Sequence, residues 1–195
     1  MDDPKPLVGE PLALDLVNTR QRTASGSVDL IATTAALKSW LCLEAELHPD
    51  LARAGTADDL TAGDIAAVHA VRDHAAVAIA HVRNRNAPPA GVLRSLNEAM
   101  AAAPPIRELA WAHGTIVAAA ARRGAAGERV AARLAEATAD LLADPAIGNI
   151  RECAGEDCVL LFLPGHPRRQ WCSATRCGNR ARVARYYTHH KQERN

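Results

Sequence analysis

The sequence predicts a mainly α-helical protein: a helical N-terminal domain over residues 1–147, which can include a small β-hairpin, then a zinc-stapled β-hairpin and helix over residues 148–195. Three observations predict this architecture. Helix-forming residues dominate the first part, where apolar side chains recur at helical spacing. Four of the five cysteines lie near the C-terminus, and a basic segment follows the last of them.

Four segments of the N-terminal domain have the apolar periodicity of helices. The strongest spans residues 64–84, where Thr61 and Asp64 resemble a capping box. Another spans residues 32–47 and ends before Pro49. Two further helices are expected over residues 90–102 and 128–143. The side chains expected to face the core are Leu37, Trp40, Leu41, Leu47, Ile65, Val68, Val71, Ala75, Ile79, Val82, Val130, Leu134, Leu141 and Leu142.

Residues 106–121 fit two structures. Apolar side chains alternate at Leu109 and Trp111 up to His113-Gly114, which indicates a hairpin, but the many alanines favour a helix equally. Elsewhere, Cys42 is expected in the core because unpaired cysteine is among the most buried residue types.

The apolar segment 7–20 contains three polar side chains, Asp15, Asn18 and Thr19. Buried polar groups need hydrogen-bond partners. One interpretation is that these side chains brace neighbouring backbone. The other is that they line a pocket for a small-molecule effector.

Charge is unevenly distributed along the chain. From Arg151 onward there are nine Lys or Arg against four Asp or Glu, whereas the preceding part has fourteen against eighteen. Four thiolates on one zinc ion would add about two negative charges and leave the C-terminal part basic. No apolar run is long enough to span a membrane, and the first residues do not resemble a secretory signal. A soluble, cytoplasmic protein is therefore expected.

The clustered cysteines, Cys153, Cys158, Cys172 and Cys177, form two Cys-x4-Cys pairs thirteen residues apart. Three alternatives fit such a cluster: two disulfides, four core thiols or a metal site. A reducing compartment argues against disulfides, and the polar neighbours argue against core thiols. The paired spacing favours one zinc ion over an iron–sulfur cluster. Because sulfur fills all four ligand positions, the zinc is expected to be structural. Residues 159–170 are expected to run out and back as two strands.

The segment after Cys177 is predicted to be a helix bordered by cations, and arginine binds phosphate through paired hydrogen bonds. A basic surface suited to DNA is therefore expected, against the alternative that the cations are only solvated or pair with the acidic domain. The candidate contacts are Arg168, Arg169, Arg176, Asn179, Arg180, Arg182, Arg185 and Lys191.

Residues 177–180, Cys-Gly-Asn-Arg, carry a resemblance to the CGNR zinc finger, which extends to Arg151, Phe162 and residues 171–173. The turn at residues 163–167 departs from that family's pattern. Residues 12–19 resemble the opening of the ABATE domain of stress-induced transcription regulators. Together the two resemblances cover nearly the whole chain and imply a DNA-binding regulator.

We therefore expect a small bacterial-type transcription regulator whose helical domain senses an effector or forms a homodimer. The alternative is a zinc-stabilised protein–protein interaction module that does not bind nucleic acid. The sequence contains no phosphate-cradling glycine loop, no activated nucleophile and no open metal position, so an enzyme is not expected.

Overall fold

The computed structural model describes residues 5–23, 26–54 and 60–192, with side chains described as far as Tyr186. It confirms the mainly helical class with small antiparallel hairpins. We call the described residues from Lys5 to Ala143 the body and residues 151–192 the C-terminal module. The body contains α1 (Leu12–Val17), β1 (Arg20–Thr23), β2 (Gly26–Asp29), α2 (Thr34–Leu47), α3 (Pro49–Ala54), α4 (Ile65–Arg83), α5 (Ala90–Ala102), β3 (Ile106–Ala112), β4 (Thr115–Ala121) and α6 (Ala126–Ala143).

Helices α4 and α6 form the centre of the body, and α1 and α5 pack against them. The predicted stripes on α4 and α6 are confirmed, since Val68, Val71, Val130 and Leu134 are buried. The two helices meet closely at Gly127, where an added Cβ would lie 2.5 Å from the Cβ of Asp64. The Asp64 carboxylate accepts hydrogen bonds there from the backbone N–H of Gly127 and from Thr61.

Helix α2 begins at a Thr33 cap and ends at Leu47, as the following proline predicts. Leu37, Trp40 and Leu41 are buried as expected. Two predictions on this helix are wrong. Leu47 is 52% exposed, and the Cys42 thiol is also exposed, because its position falls on the opposite side of the helix from Trp40 and Leu37.

The body also contains two hairpins. In the first, β1 with β2, Arg20 pairs with Asp29. The carboxylate of Asp29 accepts a hydrogen bond from each of the two terminal nitrogens of the buried Arg72, both at 2.6 Å. The ambiguous segment is a hairpin, β3 with β4, in which Leu109 pairs with Ala118. His113 and Gly114 have φ of 51° and 78°, as the central residues of a type I′ turn require.

The C-terminal module begins after a short 3-10 helix, Pro145–Asn149. The prediction that residues 159–170 pair with one another is wrong. β6 pairs instead with β5, which lies before the first cysteine, and the backbone N–H of Ala154 bonds to the carbonyl of Gln170 at 2.9 Å. The module's elements are β5 (Arg151–Glu152), β6 (Leu161–Phe162), a π-turn (Ala174–Gly178) and α7 (Asn179–Gln192).

Candidate metal centre

The four clustered cysteines converge in the C-terminal module. Their Sγ atoms all lie within 4.8 Å of one another. Cys153, Cys172 and Cys177 are buried, and Cys158 is half-buried. Four sulfur atoms from two separate turns, gathered around one point, match the donor set of a tetrahedral zinc site.

The first pair is held by a tight turn that follows β5. The backbone N–H of Cys158 donates to the carbonyl of Gly155 at 3.1 Å, and Asp157 adopts a φ of 58°. A Cβ on Gly155 would lie 2.9 Å from the Sγ of Cys177, closer than real Cβ contacts. Glycine is therefore needed for the first turn to approach the second pair of ligands.

The second pair frames the start of α7. The backbone N–H of Cys172 donates to the Sγ of Cys153 at 3.2 Å, which joins the two turns. Ser173 caps the π-turn by accepting hydrogen bonds from Thr175 and Arg176, and the turn carries Cys177 beside the other thiols. The helix that leaves the site is thus fixed to the metal centre at its first residues.

The protein environment treats the four sulfur atoms unequally, and burial raises the pKa of Cys153. Arg180 donates from Nη2 to the Sγ of Cys177 at 3.0 Å. The hydrogen bond with Cys172 lowers the pKa of Cys158 to about 5, whereas the same hydrogen bond and burial raise the pKa of Cys172. Cations beside metal-binding sulfurs offset their charge. The residues therefore fit one zinc ion held by Cys153, Cys158, Cys172 and Cys177.

Bound zinc supplies cross-linking rather than reactivity here, because a site closed by four thiolates leaves no position for water or substrate. The chain's own residues add the rest of the support. Leu160 and Phe162 pack against the cysteines, and the guanidinium of Arg169 lies 4.4 Å from the centroid of the Phe162 ring.

The module is also hydrogen-bonded to the body. The side chain of Asn18 donates to the carbonyl of Leu161 and accepts from its N–H, both at 2.8 Å, as a neighbouring strand would. The carboxylate of Glu10 accepts from the N–H of Leu163 at 2.8 Å and from Arg169 at 2.5 Å. We call these contacts of Asn18 and Glu10 the docking contacts.

Two further contacts join the module to the body. Arg176 donates to the carbonyl of Lys5 at 3.0 Å and to the side chain of Gln21 at 2.9 Å. Glu152 pairs with Arg83 at the end of α4. Arg169 and Arg176, both expected at a nucleic-acid surface, thus have partners within the chain.

The other predicted contact residues lie mostly on the surface. Arg168, Asn179, Arg180, Arg182 and Arg185 are all exposed. Within the described residues, no carboxylate forms an ion pair with any of these four arginines. The side chain of Lys191 lies outside the described part of the chain.

The three residues predicted as a possible effector pocket are buried and hydrogen-bonded within the chain. Asp15 accepts from the N–H groups of Gly9 and Glu10, at 2.7 and 3.0 Å. Thr19 donates to the carbonyl of Leu16 and accepts from Arg72. With the Asn18 contacts, each of these side chains has at least one partner in the chain, but the Oδ1 atom of Asp15 has none among the described residues, so both the bracing interpretation and the pocket stay predictions.

An acidic residue that the sequence analysis did not single out lies near Asp15. Glu44 is fully buried, and neither of its carboxylate oxygens has a hydrogen-bond partner among the residues described. Burial raises the pKa of Glu44 to about 7, partly offset by the indole of Trp40. Burial, together with the charge of Glu44, raises the pKa of Asp15 to about 9. Helical periodicity could have indicated Glu44, since it lies four residues after Trp40 on the buried side of α2.

Comparisons with known proteins agree with this geometry. Residues 10–145 match the ABATE family, described as a putative stress-induced transcription regulator. Residues 149–190 match the CGNR zinc finger. No curated protein matches the sequence significantly. Over the described residues, no helix is long and apolar enough to cross a membrane. With a family match over more than half its length, beside a four-cysteine zinc site, the chain belongs to the ABATE family and ends in a CGNR zinc finger.

Proposed function

We propose that this chain is a DNA-binding transcription regulator. The observation that carries the proposal is a set of four exposed arginines in the zinc-binding module that have no carboxylate partners among the described residues: Arg168, Arg180, Arg182 and Arg185. Arginine side chains that are not neutralised within the protein attract phosphate. Because the start of α7 is fixed by the metal, little order has to be gained on binding.

The contacts made within the chain divide the basic residues into two groups. Arg169 and Arg176 are assigned to holding the module against the body, since both donate to body groups. Arg182 and Arg185 belong to the surface group and lie three residues apart on α7, where they share a face. Arg168, Asn179, Arg180 and Lys191 complete the proposed DNA contacts.

The body is proposed to supply what one small module lacks. A single zinc module offers few contacts, and specific DNA-binding proteins commonly bind two half-sites as dimers. We therefore propose a homodimer through the body. An effector that binds two arrangements of the body unequally would then alter DNA binding.

Binding to duplex DNA at several salt concentrations tests the proposal. Contact with about five phosphates should give a log–log salt slope near −4.5. The double variant Arg182→Ala, Arg185→Ala should bind more weakly, with a slope shallower by about two units, while retaining zinc. The matched control, Arg22→Ala with Arg94→Ala, removes the same charge from exposed positions on the body and should leave the slope unchanged. Native protein that ignores DNA at low salt would overturn the proposal.

The second candidate is a zinc-stabilised protein-docking module. The observation that favours it is apolar surface on α7, where Val183 is 46% and Tyr186 is 58% exposed. Such a contact would respond far less to salt than DNA binding. Substitution of Val183 by glutamate would then abolish partner binding, whereas the arginine pair would have little effect.

A further inference from the structure

We propose that the β3–β4 hairpin is the surface on which two copies of this chain dimerise. Its two strands pair over seven residues each. Ile106 pairs with Ala121 at the base of the hairpin, and Ala112 pairs with Thr115 next to the turn. Nearly every residue of both strands is exposed, on both faces. β4 contacts α3, but a two-stranded hairpin is marginally stable in water, so a partner surface on its exposed part would stabilise this element further.

One face of the hairpin is strongly apolar. Leu109 is 72%, Trp111 71% and Ile116 60% exposed. These three side chains lie on the same face, because Leu109 pairs with Ala118, Trp111 pairs with Ile116, and side chains alternate along each strand. We call this the apolar face. The largest apolar patch on a protein surface is often functional.

The distribution of side-chain size on this face fits a second copy. The large side chains, Trp111 and Ile116, are next to the turn, whereas Ala118, Ala120 and the cross-strand partner of Ala120, Arg107, lie toward the base of the hairpin. In a two-fold packing with the hairpins antiparallel, the large residues of each copy would cover the small residues of the other. Leu109 would then lie near the two-fold axis. A two-fold interface requires the same patch on both copies to complement itself, and this arrangement meets that requirement.

Charge and area are consistent with the same occupant. Of the two charged residues in the paired strands, Arg107 lies on the apolar face and Glu108 on the opposite face, and an antiparallel packing would keep the Arg107 side chains of the two copies at opposite ends of the interface. The three large side chains expose on the order of 400 Å² per copy, since an aromatic residue alone buries roughly 200 Å². Stable dimers bury about 800 Å² per partner, so a contact limited to this face would be about half that size and would give a weak, reversible dimer.

The inference extends the proposed function, which needs two modules on one DNA, but its test does not depend on DNA. Sedimentation velocity of the zinc-loaded full chain should show a reversible monomer–dimer equilibrium in the micromolar range. The variant Leu109→Glu would bring two negative charges together at the axis, and Trp111→Lys would place a second cation beside Arg107 of the other copy. Each should weaken dimerisation at least about ten-fold, as loss of a central contact does.

The matched control is Ala110→Glu, which adds the same charge one residue away on the opposite face and should leave dimerisation unchanged. Circular dichroism and zinc content verify folding of each variant, since all three positions are exposed. A native chain that remains monomeric at high concentration would overturn the proposal, as would equal loss in Leu109→Glu and Ala110→Glu. A dimer that does not bind DNA would overturn the proposed function and leave this inference standing.

Discussion

The core of the body contains Trp40, Leu37, Val130 and some dozen other apolar side chains, whereas the described part of the C-terminal module encloses little beyond Leu160, Phe162 and its own cysteines. The body can obtain its stability from apolar burial, at about 25 cal/mol per Å². The module cannot, because small domains with few apolar residues need a metal or disulfides. We therefore expect the module to depend on two external supports, the zinc ion and the docking contacts.

Removal of zinc should produce the largest effect on this comparison. Structural zinc contributes about 10 to 16 kcal/mol of binding free energy in zinc-finger peptides, so chelation should unfold the module and leave the body folded. Hydrogen exchange would show it. The amides of Cys153 and Ala154, bonded to Leu160 and Gln170, should lose protection, while amides in the middle of α4 should keep it.

Readdition of zinc is the control and should restore protection at both amides. If α4 exchanged as fast as the module after chelation, the body and module would be one cooperative unit. The difference in their sources of stability would then have no thermodynamic consequence.

The sequence was most informative where chemistry or periodicity is local. Helices α4 and α6 follow from apolar stripes, and the zinc ligands follow from the spacing of two cysteine pairs. The pairing of β5 with β6 could not be predicted, because strands of two residues have no detectable alternation.

The docking contacts could not be predicted from the sequence either. Glu10 and Arg169 are 159 positions apart, and no local pattern links them. Sequence reasoning identified Asn18 as a buried polar residue but not its partner, Leu161. Likewise it recognised Arg169 and Arg176 as basic, yet could not tell that they face the body. Long-range polar pairs depend on the final packing, which periodicity does not encode.

Within the body, the buried carboxyl of Glu44 should make stability fall as pH rises. Its folded pKa of about 7 exceeds the ordinary value of 4.5, so between those values the folded state binds more protons than the unfolded state. The contribution of Glu44 to the free energy of unfolding is fully present below about pH 4.5 and is lost as pH rises through about 7. Replacement by methionine should remove this loss, on the order of 3 to 4 kcal/mol at 1.4 kcal/mol per pKa unit.

Chemical denaturation at pH 5 and pH 8 measures this effect. The variant Glu44→Met should be stabilised relative to the native protein mainly at pH 8. Glu46→Met changes an exposed glutamate on the same helix and serves as the control with no pH-dependent difference. A Glu44→Met variant that is destabilised equally at both pH values would contradict the expectation.

The docking contacts should have a smaller effect, confined to the module. Asn18→Ala leaves the N–H and carbonyl of Leu161 without partners, at a cost of about 1 to 3 kcal/mol for an unsatisfied group. We expect faster exchange at the amides of Leu161 and Leu163 and little change in α4. Asn97→Ala, at an exposed position on α5, is the matched control. Unchanged exchange at Leu161 would show that the module is ordered by zinc alone.

The smallest expected effect concerns Arg180, which belongs both to the proposed DNA surface and to the metal centre. Its hydrogen bond to Cys177 offsets thiolate charge, and loss of such a partner commonly lowers metal affinity by at least ten-fold, about 1.4 kcal/mol. Arg180→Gln should therefore bind zinc about ten-fold more weakly in competition with a chelator, and Arg180→Lys, which keeps the charge, should lose less.

Arg182→Gln is the control for this last comparison. Arg182 is exposed, and its guanidinium donates to the side-chain oxygen of Asn179, at 3.5 Å, rather than to a sulfur. Its zinc affinity should match that of the native protein, while its DNA affinity should fall. Equal zinc affinity in Arg180→Gln and Arg182→Gln would mean that the thiolates need no support from this cation. Arg180 would then belong to the DNA surface alone, and the metal centre would depend only on its four sulfurs and the turns that carry them.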